Sequence, residues 1–191
     1  MKQILIINAH PRPGSYNESL ADQYEAGAKG TEAEINRLDL GKLEFDPNLK
    51  HGYHQRTPHE PDLERALALI RAADHIVWVF PIWWYSYPAI MKGFIDRIFL
   101  PGIAFKYKGN AFPEKLWKGK TARLIVTSDT PYWYQRWVMR NSAIHAVKKG
   151  TLQFCGISPV KLSYIAIIRG SSEAFRQKWL QRVYALGKDL K

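Results

Sequence analysis

The chain has 191 residues, of which 46% are hydrophobic and 24% charged, a composition typical of a folded globular protein. Its single cysteine, Cys155, excludes an intramolecular disulfide and a cysteine-rich metal site, and it favours a reducing compartment. The 28 lysines and arginines outnumber the 17 acidic residues and give a net charge of +11. The basic residues are spread along the sequence, and no nucleic-acid-binding motif is present, so we interpret them as solvated surface residues rather than as a nucleic-acid-binding site. Anionic small molecules remain candidate partners.

The organisation of the chain predicts a single domain over residues 1–191, because no linker-like stretch or change in composition divides it. Met1 leads directly into an apolar run without a cationic leader, which predicts a cytoplasmic protein. The longest apolar run, Ile76 to Met91, is shorter than a membrane-spanning helix and contains two prolines. We therefore expect no membrane span.

The first predicted strand, Gln3 to Asn8, ends in a loop that opens onto a helix. Pro11 and Pro13 prevent the strand from continuing, whereas the serine and asparagine at positions 15 and 17 are good N-caps for a helix over about residues 18–29. Free N–H groups and the helix dipole at such an N-terminus bind anions. His10 is a candidate phosphate contact, and a purely structural role for it is equally open. No glycine-rich dinucleotide-binding motif or P-loop motif follows this strand, so a phosphate would have to be bound by something other than a glycine-rich turn.

The next elements are an edge strand, a polar segment and a helix. Residues 32–40 alternate weakly between polar and apolar, as an edge strand does. The polar segment over residues 41–61 contains three histidines but no carboxylate or thiol triad at metal-ligand spacing, so no metal site is predicted. Residues 61–74 form an amphipathic pattern with proline in the first turn, which predicts a helix.

The segment from His75 to Leu100 is the most informative part of the chain. Residues 76–80 are uncharged and rich in β-branched and aromatic side chains, the pattern of a central strand covered on both faces. Three aromatic residues follow at 83–85, and helical spacing resumes near Ile90. Since ligands of open parallel sheets lie beyond the carboxyl ends of the strands, this aromatic loop is expected at a ligand site.

The remaining elements complete the alternation of strands and helices. Residues 101–120 are too long for a minimal connection and are predicted to form a lid. A fourth strand over residues 121–128 ends in a hydroxyl-rich turn, and a helical stripe follows over residues 132–154. Residues 160–168 are predicted as the fifth strand and residues 171–188 as a final capped helix.

Five strands alternating with five helices predict an α/β fold, a doubly wound parallel sheet with helices on both faces. The flavodoxin-like strand order 2-1-3-4-5 brings together the loops that follow the first, third and fourth strands. These loops offer an anion pocket, a flat aromatic wall and hydroxyl groups. A flavin nucleotide needs all three, for its phosphate, its planar ring and the polar edge of that ring.

Three sequence blocks resemble the flavodoxin-like NAD(P)H:quinone oxidoreductases, the DT-diaphorase type and its bacterial relatives. The blocks are His10 with Ser15-Tyr16-Asn17; Phe80-Pro81-Ile82-Trp83-Trp84-Tyr85 with Pro88 to Phe94 and Asp96-Arg97; and Leu152-x-Phe154-Cys155-Gly156. The second block is the most specific, and the resemblance covers nearly the whole chain. It implies a homodimeric flavoprotein that uses FAD, with FMN as the alternative, and NAD(P)H as co-substrate.

The resemblance also implies roles for individual residues. His10, Ser15, Tyr16 and Asn17 would hold the phosphate region of the flavin, and Pro81, Ile82, Trp83, Trp84 and Tyr85 would line its ring, with Trp84 against the ring face. Thr127 and Ser128 would approach the ring edge, together with Asp129, which departs from the family's Thr-Thr-Gly-Gly turn and adds a carboxylate. Tyr134 is the candidate for the tyrosine that steadies the reduced flavin. Phe105 and Tyr107 would close over the substrate, and Phe154 would reach across a dimer interface.

The implied reaction is hydride transfer from NAD(P)H through the flavin to a quinone or similar acceptor, in two steps that use the same binding place. A flavin-bearing regulatory subunit of a membrane ion-efflux system and a flavodoxin-type electron carrier are the alternatives. The basic net charge counts against the electron carrier. Turnover of NAD(P)H with a quinone separates an enzyme from a carrier.

Overall fold

A computed structural model describes residues 1–109 and 112–191 of the chain. Its main sheet has five parallel strands in the order β2-β1-β3-β6-β7, which confirms the predicted flavodoxin-like order. The strands are β1 (Gln3–Asn8), β2 (Glu34–Asp39), β3 (His75–Pro81), β6 (Thr121–Ser128) and β7 (Val160–Ala166). A separate antiparallel pair consists of β4 (Phe105–Lys106) and β5 (Glu114–Lys115).

The helices pack on both faces of the sheet. They are α1 (Tyr16–Lys29), α2 (Pro61–Ala72), α3 (Ala89–Ile98), α4 (Tyr132–Trp137), α5 (Ser142–His145) and α6 (Glu173–Lys188). Successive strand residues point to opposite faces, so Val77 and Val79 of β3 share a core with α1 and α6. Trp78 and Phe80 of the same strand face the core formed with α2 and α3. Every residue of β3 is buried, as expected for the central strand.

The region after β6 differs from the prediction of one long helical stripe. Helix α4 ends at Trp137, and a turn with positive φ at Arg140 (50°) and Asn141 (52°) separates it from α5. The left-handed backbone of two successive residues breaks the α-helical hydrogen-bond ladder. A π-helix over Ala146–Gln153 then continues directly from α5. Periodicity located this helical region, but it did not indicate the break inside it.

Arg97 anchors the long polar segment between β2 and α2 against α3. The guanidinium is almost fully buried, pairs with the Glu60 carboxylate at 2.7 Å and donates a 2.9 Å hydrogen bond to the Pro58 carbonyl oxygen. The ring of His59 also contacts the Arg97 carbonyl oxygen, at 2.8 Å from Nε2. His51 and His54 lie exposed in the same segment. The buried arginine thus fixes this irregular backbone against α3.

The predicted lid over residues 101–120 contains the β4–β5 pair. Two of its residues, Asn110 and Ala111, lie outside the described part of the chain. Within the described residues, no helix has the length and apolar character needed to cross a bilayer.

Candidate functional site

A cavity of about 260 Å³ lies at the carboxyl ends of the sheet strands. The loops that follow β1, β3, β6 and β7 all contribute to it, as the strand order requires. Its lining residues are His10, Arg12, Ser15, Tyr16, Asn17, Pro81, Ile82, Trp83, Thr127, Ser128, Asp129, Ile168 and Arg169. Ten of the thirteen were predicted from the sequence as cofactor-binding residues. The structure therefore brings the three predicted loops to one site.

The N-terminus of α1 forms one wall of this cavity. Ser15 is the N-cap, and its side chain accepts a hydrogen bond from the Glu18 N–H. The helix begins at Tyr16, two residues earlier than predicted, so Asn17 lies in its first turn rather than capping it. The first N–H groups of an α-helix have no acceptor within the helix, and the helix dipole makes this end partly positive. The wall is therefore suited to an anionic group.

Asn17 connects this wall to the end of β6. Its side chain is almost completely buried, and its Oδ1 accepts a 3.0 Å hydrogen bond from the Thr127 hydroxyl. Its Nδ2 has no hydrogen-bond acceptor among the residues that the structure describes. An unpaired buried amide donor is costly in free energy, about 1–3 kcal/mol. A ligand atom that accepts this hydrogen bond would remove that cost.

His10 belongs to the loop after β1 and lines the cavity next to the aromatic loop. Its Nδ1 is 3.1 Å from the Arg12 backbone nitrogen, which orients the ring, and the ring meets that of Trp83 edge-on at 5.4 Å between centroids. Burial lowers the pKa of His10 below its usual value, because a charged imidazolium is poorly solvated there. A bound phosphate would oppose that shift by stabilising the protonated ring.

A tight turn carries the three successive aromatic residues. Trp83 and Ser86 exchange two backbone hydrogen bonds of 2.9 Å, and the two central residues, Trp84 and Tyr85, have φ values of 50° and 55°. Such a turn normally requires glycine or asparagine, because other side chains are strained at positive φ. Trp83 lines the cavity, whereas Trp84 is 97% exposed and is not among the lining residues. The structure therefore places Trp83, not Trp84, against the space predicted for the flavin.

The loop after β6 forms another wall of the cavity. The Thr127 carbonyl oxygen accepts a hydrogen bond from the Ile82 N–H at 2.8 Å, which ties this loop to the aromatic loop. The Ser128 hydroxyl accepts one from the Thr130 N–H. The Asp129 carboxylate accepts a 2.6 Å hydrogen bond from the Arg169 N–H. Asp129 thus fixes the loop after β7, which carries Arg169 to the cavity.

Tyr134 and Tyr85 lie beside the cavity but do not line it. Their rings are 6.4 Å apart, and the Ser142 hydroxyl donates a 2.9 Å hydrogen bond to the Tyr85 carbonyl oxygen. Tyr134 is half-buried. The structure places it within reach of the aromatic turn, as a residue that steadies a ligand there would need to be.

The three predicted substrate residues line a different cavity, of about 270 Å³. The Phe105 ring packs edge-on against Tyr107 at 5.4 Å and against Phe154 at 5.0 Å. None of the three lines the cavity that contains Trp83. Within one chain they are therefore not assembled with the predicted cofactor residues.

The first cavity is also lined by Arg12, Ile168 and Arg169, which were not predicted from the sequence as binding residues. Arg12 lies inside the loop already predicted to bind a phosphate. Ile168 and Arg169 follow β7. Because ligands lie beyond the carboxyl ends of parallel strands, the position of these two residues could have predicted that they line the site. The two arginines add positive charge to the residues predicted to line the cavity.

Comparison with known proteins agrees with this geometry. Residues 2–186 match a family model described as having a flavodoxin-like fold. Human ribosyldihydronicotinamide dehydrogenase [quinone] is 28% identical over 98% of this chain and 93% of its own length. The crystal structure of Smu.1420 from Streptococcus mutans superposes with a TM-score of 0.86 at 37% identity, over 99% of this chain and 100% of that one.

A second solved structure shows the fold alone, at 21% identity and a TM-score of 0.76. It is an FMN-dependent NADH-azoreductase from Bacillus anthracis in complex with FMN, and the match covers 100% of this chain and 99% of that chain. The family model spans nearly the whole chain, and the strand order, the cavity and the relatives all agree with it. The chain therefore belongs to the flavodoxin-like family of NAD(P)H:quinone oxidoreductases.

Proposed function

We propose that the protein is a flavin-dependent oxidoreductase of the NAD(P)H dehydrogenase (quinone) type. The observation that carries the proposal is the cavity that joins a helix N-terminus, an aromatic wall and a polar wall at the carboxyl edge of the sheet. The relatives' names support the reaction class, since one is a ribosyldihydronicotinamide dehydrogenase [quinone] and another is an FMN-dependent NADH-azoreductase.

The residues present fit a flavin nucleotide. The N–H groups at the start of α1, with Ser15 and His10, would hold the phosphate. The unpaired Asn17 Nδ2 would donate a hydrogen bond to the ligand, and Trp83 would contact the planar ring. Ser128 and Asp129 would contact polar atoms of the ring edge. When bound, the flavin would supply the transfer of two electrons between NAD(P)H and the acceptor.

We propose FMN as the flavin. The sequence resemblance favoured FAD, but the comparisons give FAD no support, whereas a structural neighbour is named as an FMN complex. The α1 N-terminus provides one site for a phosphate, which is what a mononucleotide requires.

The protein's own residues would position the reactants and exclude water. Thr127 and Asn17 hold the β6 loop against α1 through their buried hydrogen bond, so the cavity keeps its shape before a ligand enters. We also propose that the protein is a homodimer, in which Phe105, Tyr107 and Phe154 of one copy serve the cavity of the other. Their separate location within one chain supports this arrangement. Because NAD(P)H and the acceptor would use one place in turn, we expect ping-pong kinetics.

The test of this function begins with the purified protein. We expect an absorption spectrum typical of flavin and the mass of FMN in the ligand released by heat. Steady-state oxidation of NADH or NADPH with a quinone should give parallel double-reciprocal lines. A colourless protein that takes up neither flavin, or quinone reduction at the background rate, would overturn the proposal.

A matched pair of variants tests the site itself. Asn17→Asp keeps the shape of the side chain but replaces the Nδ2 donor with a charged oxygen beside the expected phosphate. We expect FMN affinity to fall about tenfold or more, since hydrogen bonds to charged groups contribute about 1.5–3 kcal/mol. Gln181→Glu makes the same change in net charge on the exposed surface of α6 and should leave FMN affinity unchanged.

A further inference from the structure

A row of aromatic rings leads away from the cavity along α4. It consists of Tyr85, Tyr134, Trp133 and Trp137, and we call it the aromatic strip. The Tyr85 and Tyr134 rings are 6.4 Å apart, and those of Tyr134 and Trp133 are 5.6 Å apart. Trp133 and Trp137 are one helical turn apart, so they share a face of α4. Tyr85 and Tyr134 are partly buried, whereas Trp133 and Trp137 are exposed. Two exposed tryptophans beside further aromatic rings mark a binding surface rather than ordinary solvated surface.

The tryptophans of the strip are available to a ligand. Trp133 is 62% exposed and Trp137 is 71% exposed. Helix α4 starts three residues after Asp129, which lines the cavity, and its six residues span roughly 9 Å. The strip therefore begins close to residues that line the cavity.

The charge around the strip is positive. Arg136 is exposed, and its guanidinium carbon lies 5.0 Å from the centre of the Trp137 ring. The sequence contains no Asp or Glu between Asp129 and Glu173, and that interval contains six cations: Arg136, Arg140, Lys148, Lys149, Lys161 and Arg169. No acidic side chain of this interval competes with a ligand for the guanidinium of Arg136. The strip thus combines apolar rings with the positive charge of Arg136, as an aromatic anion requires.

We propose that the electron acceptor is a planar aromatic compound with a carboxylate or sulfonate group, bound by the aromatic strip and by Arg136. This inference rests on the proposed oxidoreductase function and specifies its substrate class. The aromatic part of the acceptor contacts the rings of the strip, while Arg136 pairs with its anionic group. Arg136 determines specificity and takes no part in the chemistry.

The chain provides a matched control for Arg136. Arg182 of α6 is also exposed, and its guanidinium lies 4.9 Å from the centre of the Trp179 ring. It has the same kind of cation–aromatic contact on a helix that does not form the cavity. Arg136→Gln and Arg182→Gln therefore remove the same charge and the same contact, and only the first does so beside the cavity.

The kinetic experiment compares naphthoquinone with naphthoquinone sulfonate, at saturating NAD(P)H. In Arg136→Gln we expect the ratio of kcat/KM for the sulfonated over the neutral quinone to fall about threefold to fivefold, the range of an exposed ion pair. In Arg182→Gln the ratio should equal that of the unmodified protein. In the unmodified protein the ratio should also fall as ionic strength rises, because salt screens exposed charges. An unchanged ratio in Arg136→Gln, or an equal fall in Arg182→Gln, would overturn the inference.

A binding experiment separates this inference from the proposed function. Equilibrium dialysis measures the dissociation constant of naphthalene sulfonate, which accepts no electrons, and of naphthol as its neutral counterpart. We expect Arg136→Gln to weaken only sulfonate binding, by about threefold to fivefold, and Arg182→Gln to weaken neither. If neither quinone is reduced, the proposed function fails, but this measurement still decides whether the strip selects anions. Equal sulfonate binding by both variants would show that Arg136 does not select anionic ligands.

Discussion

At the residue scale, the aromatic turn stores strain beside the cavity. Trp84 has a φ of 50°, where most side chains cost about 1–2 kcal/mol, yet its ring is 97% exposed and contributes little packing. Such strain concentrates at functional sites, where the surrounding structure holds it in place. Here the Trp83–Ser86 hydrogen bonds and the Ser142 hydroxyl provide that support.

Trp84→Gly should therefore be more stable than Trp84→Ala. Both variants remove the ring, but only glycine relieves the left-handed backbone, so we expect a difference of about 1 kcal/mol in the free energy of unfolding. Urea denaturation of the two purified variants measures it. Equal stability, or a more stable alanine variant, would show that the turn is not strained.

A buried histidine makes stability depend on pH. His75 lies at the amino end of β3, and its Nδ1 is 2.7 Å from the Thr121 hydroxyl. Burial lowers its pKa from 6.5 to about 4, and the nearby charges of Lys2, Arg123 and Lys161 add to the shift. The unfolded chain therefore binds a proton at pH values where the folded chain does not. The stabilisation of the folded state that results from this pKa shift is complete above pH 6.5 and is lost as the pH falls to about 4.

We expect the free energy of unfolding to fall by roughly 3 kcal/mol over this interval through His75 alone, at about 1.4 kcal/mol per pKa unit. His75→Gln should flatten that part of the pH profile, which denaturation at a series of pH values records. His145→Gln changes an exposed histidine and serves as the control. If the free energy of unfolding of His75→Gln falls as steeply with pH as that of the unmodified protein, groups other than His75 cause the pH dependence.

At the element scale, two glycines allow α1 and α6 to pack closely. A Cβ at Gly27 would collide with the Tyr184 carbonyl oxygen, and one at Gly187 would collide with the Tyr24 carbonyl oxygen. The two helices contact each other backbone to backbone at this point, which no larger residue permits. The α1–α6 layer covers the face of the sheet that carries Val77 and Val79.

Gly27→Ala should destabilise the protein by about 1–3 kcal/mol, the usual cost of overpacking, despite the better helix propensity of alanine. Gly30→Ala is the matched control, because a Cβ there would meet its nearest neighbour at an ordinary 3.6 Å. Denaturant midpoints of the two variants give the comparison. A Gly27→Ala protein as stable as Gly30→Ala would mean that the helices adjust without cost.

At the scale of the whole molecule, an anionic cofactor should stabilise a protein with a net charge of +11. A ligand at one hundred times its dissociation constant stabilises the folded state by about 2.7 kcal/mol. For a chain of this size we expect FMN to raise Tm by roughly 5–10 °C. Riboflavin, which lacks the phosphate, should give a smaller rise at the same concentration. Thermal unfolding with each ligand measures both, and equal shifts would argue against a phosphate site at α1.

The sequence predicted the strand order and three of the four loops that form the cavity, but not the loop after β7. Continuous apolar runs identified β1 and β3 as buried strands, and alternation with helices implied parallel pairing, so the positions of the loops followed. Ten of the residues predicted to bind the cofactor line the cavity because they lie at the ends of strands or in the segments that follow them. The break at Arg140 and Asn141 was missed, because neither residue type requires positive φ.

The amino-acid sequence by itself determined the flavodoxin-like fold and the group of residues at its carboxyl edge, because strand and helix periodicities are local properties of the chain. Only the tertiary structure decided that Trp83 lines the cavity while Trp84 points outward, since a turn of the backbone reverses which ring faces inward. It also decided that Phe105, Tyr107 and Phe154 lie apart from that cavity, and that Arg169 joins it. Contacts between residues far apart in sequence depend on how the loops pack in three dimensions, and no local pattern encodes that packing.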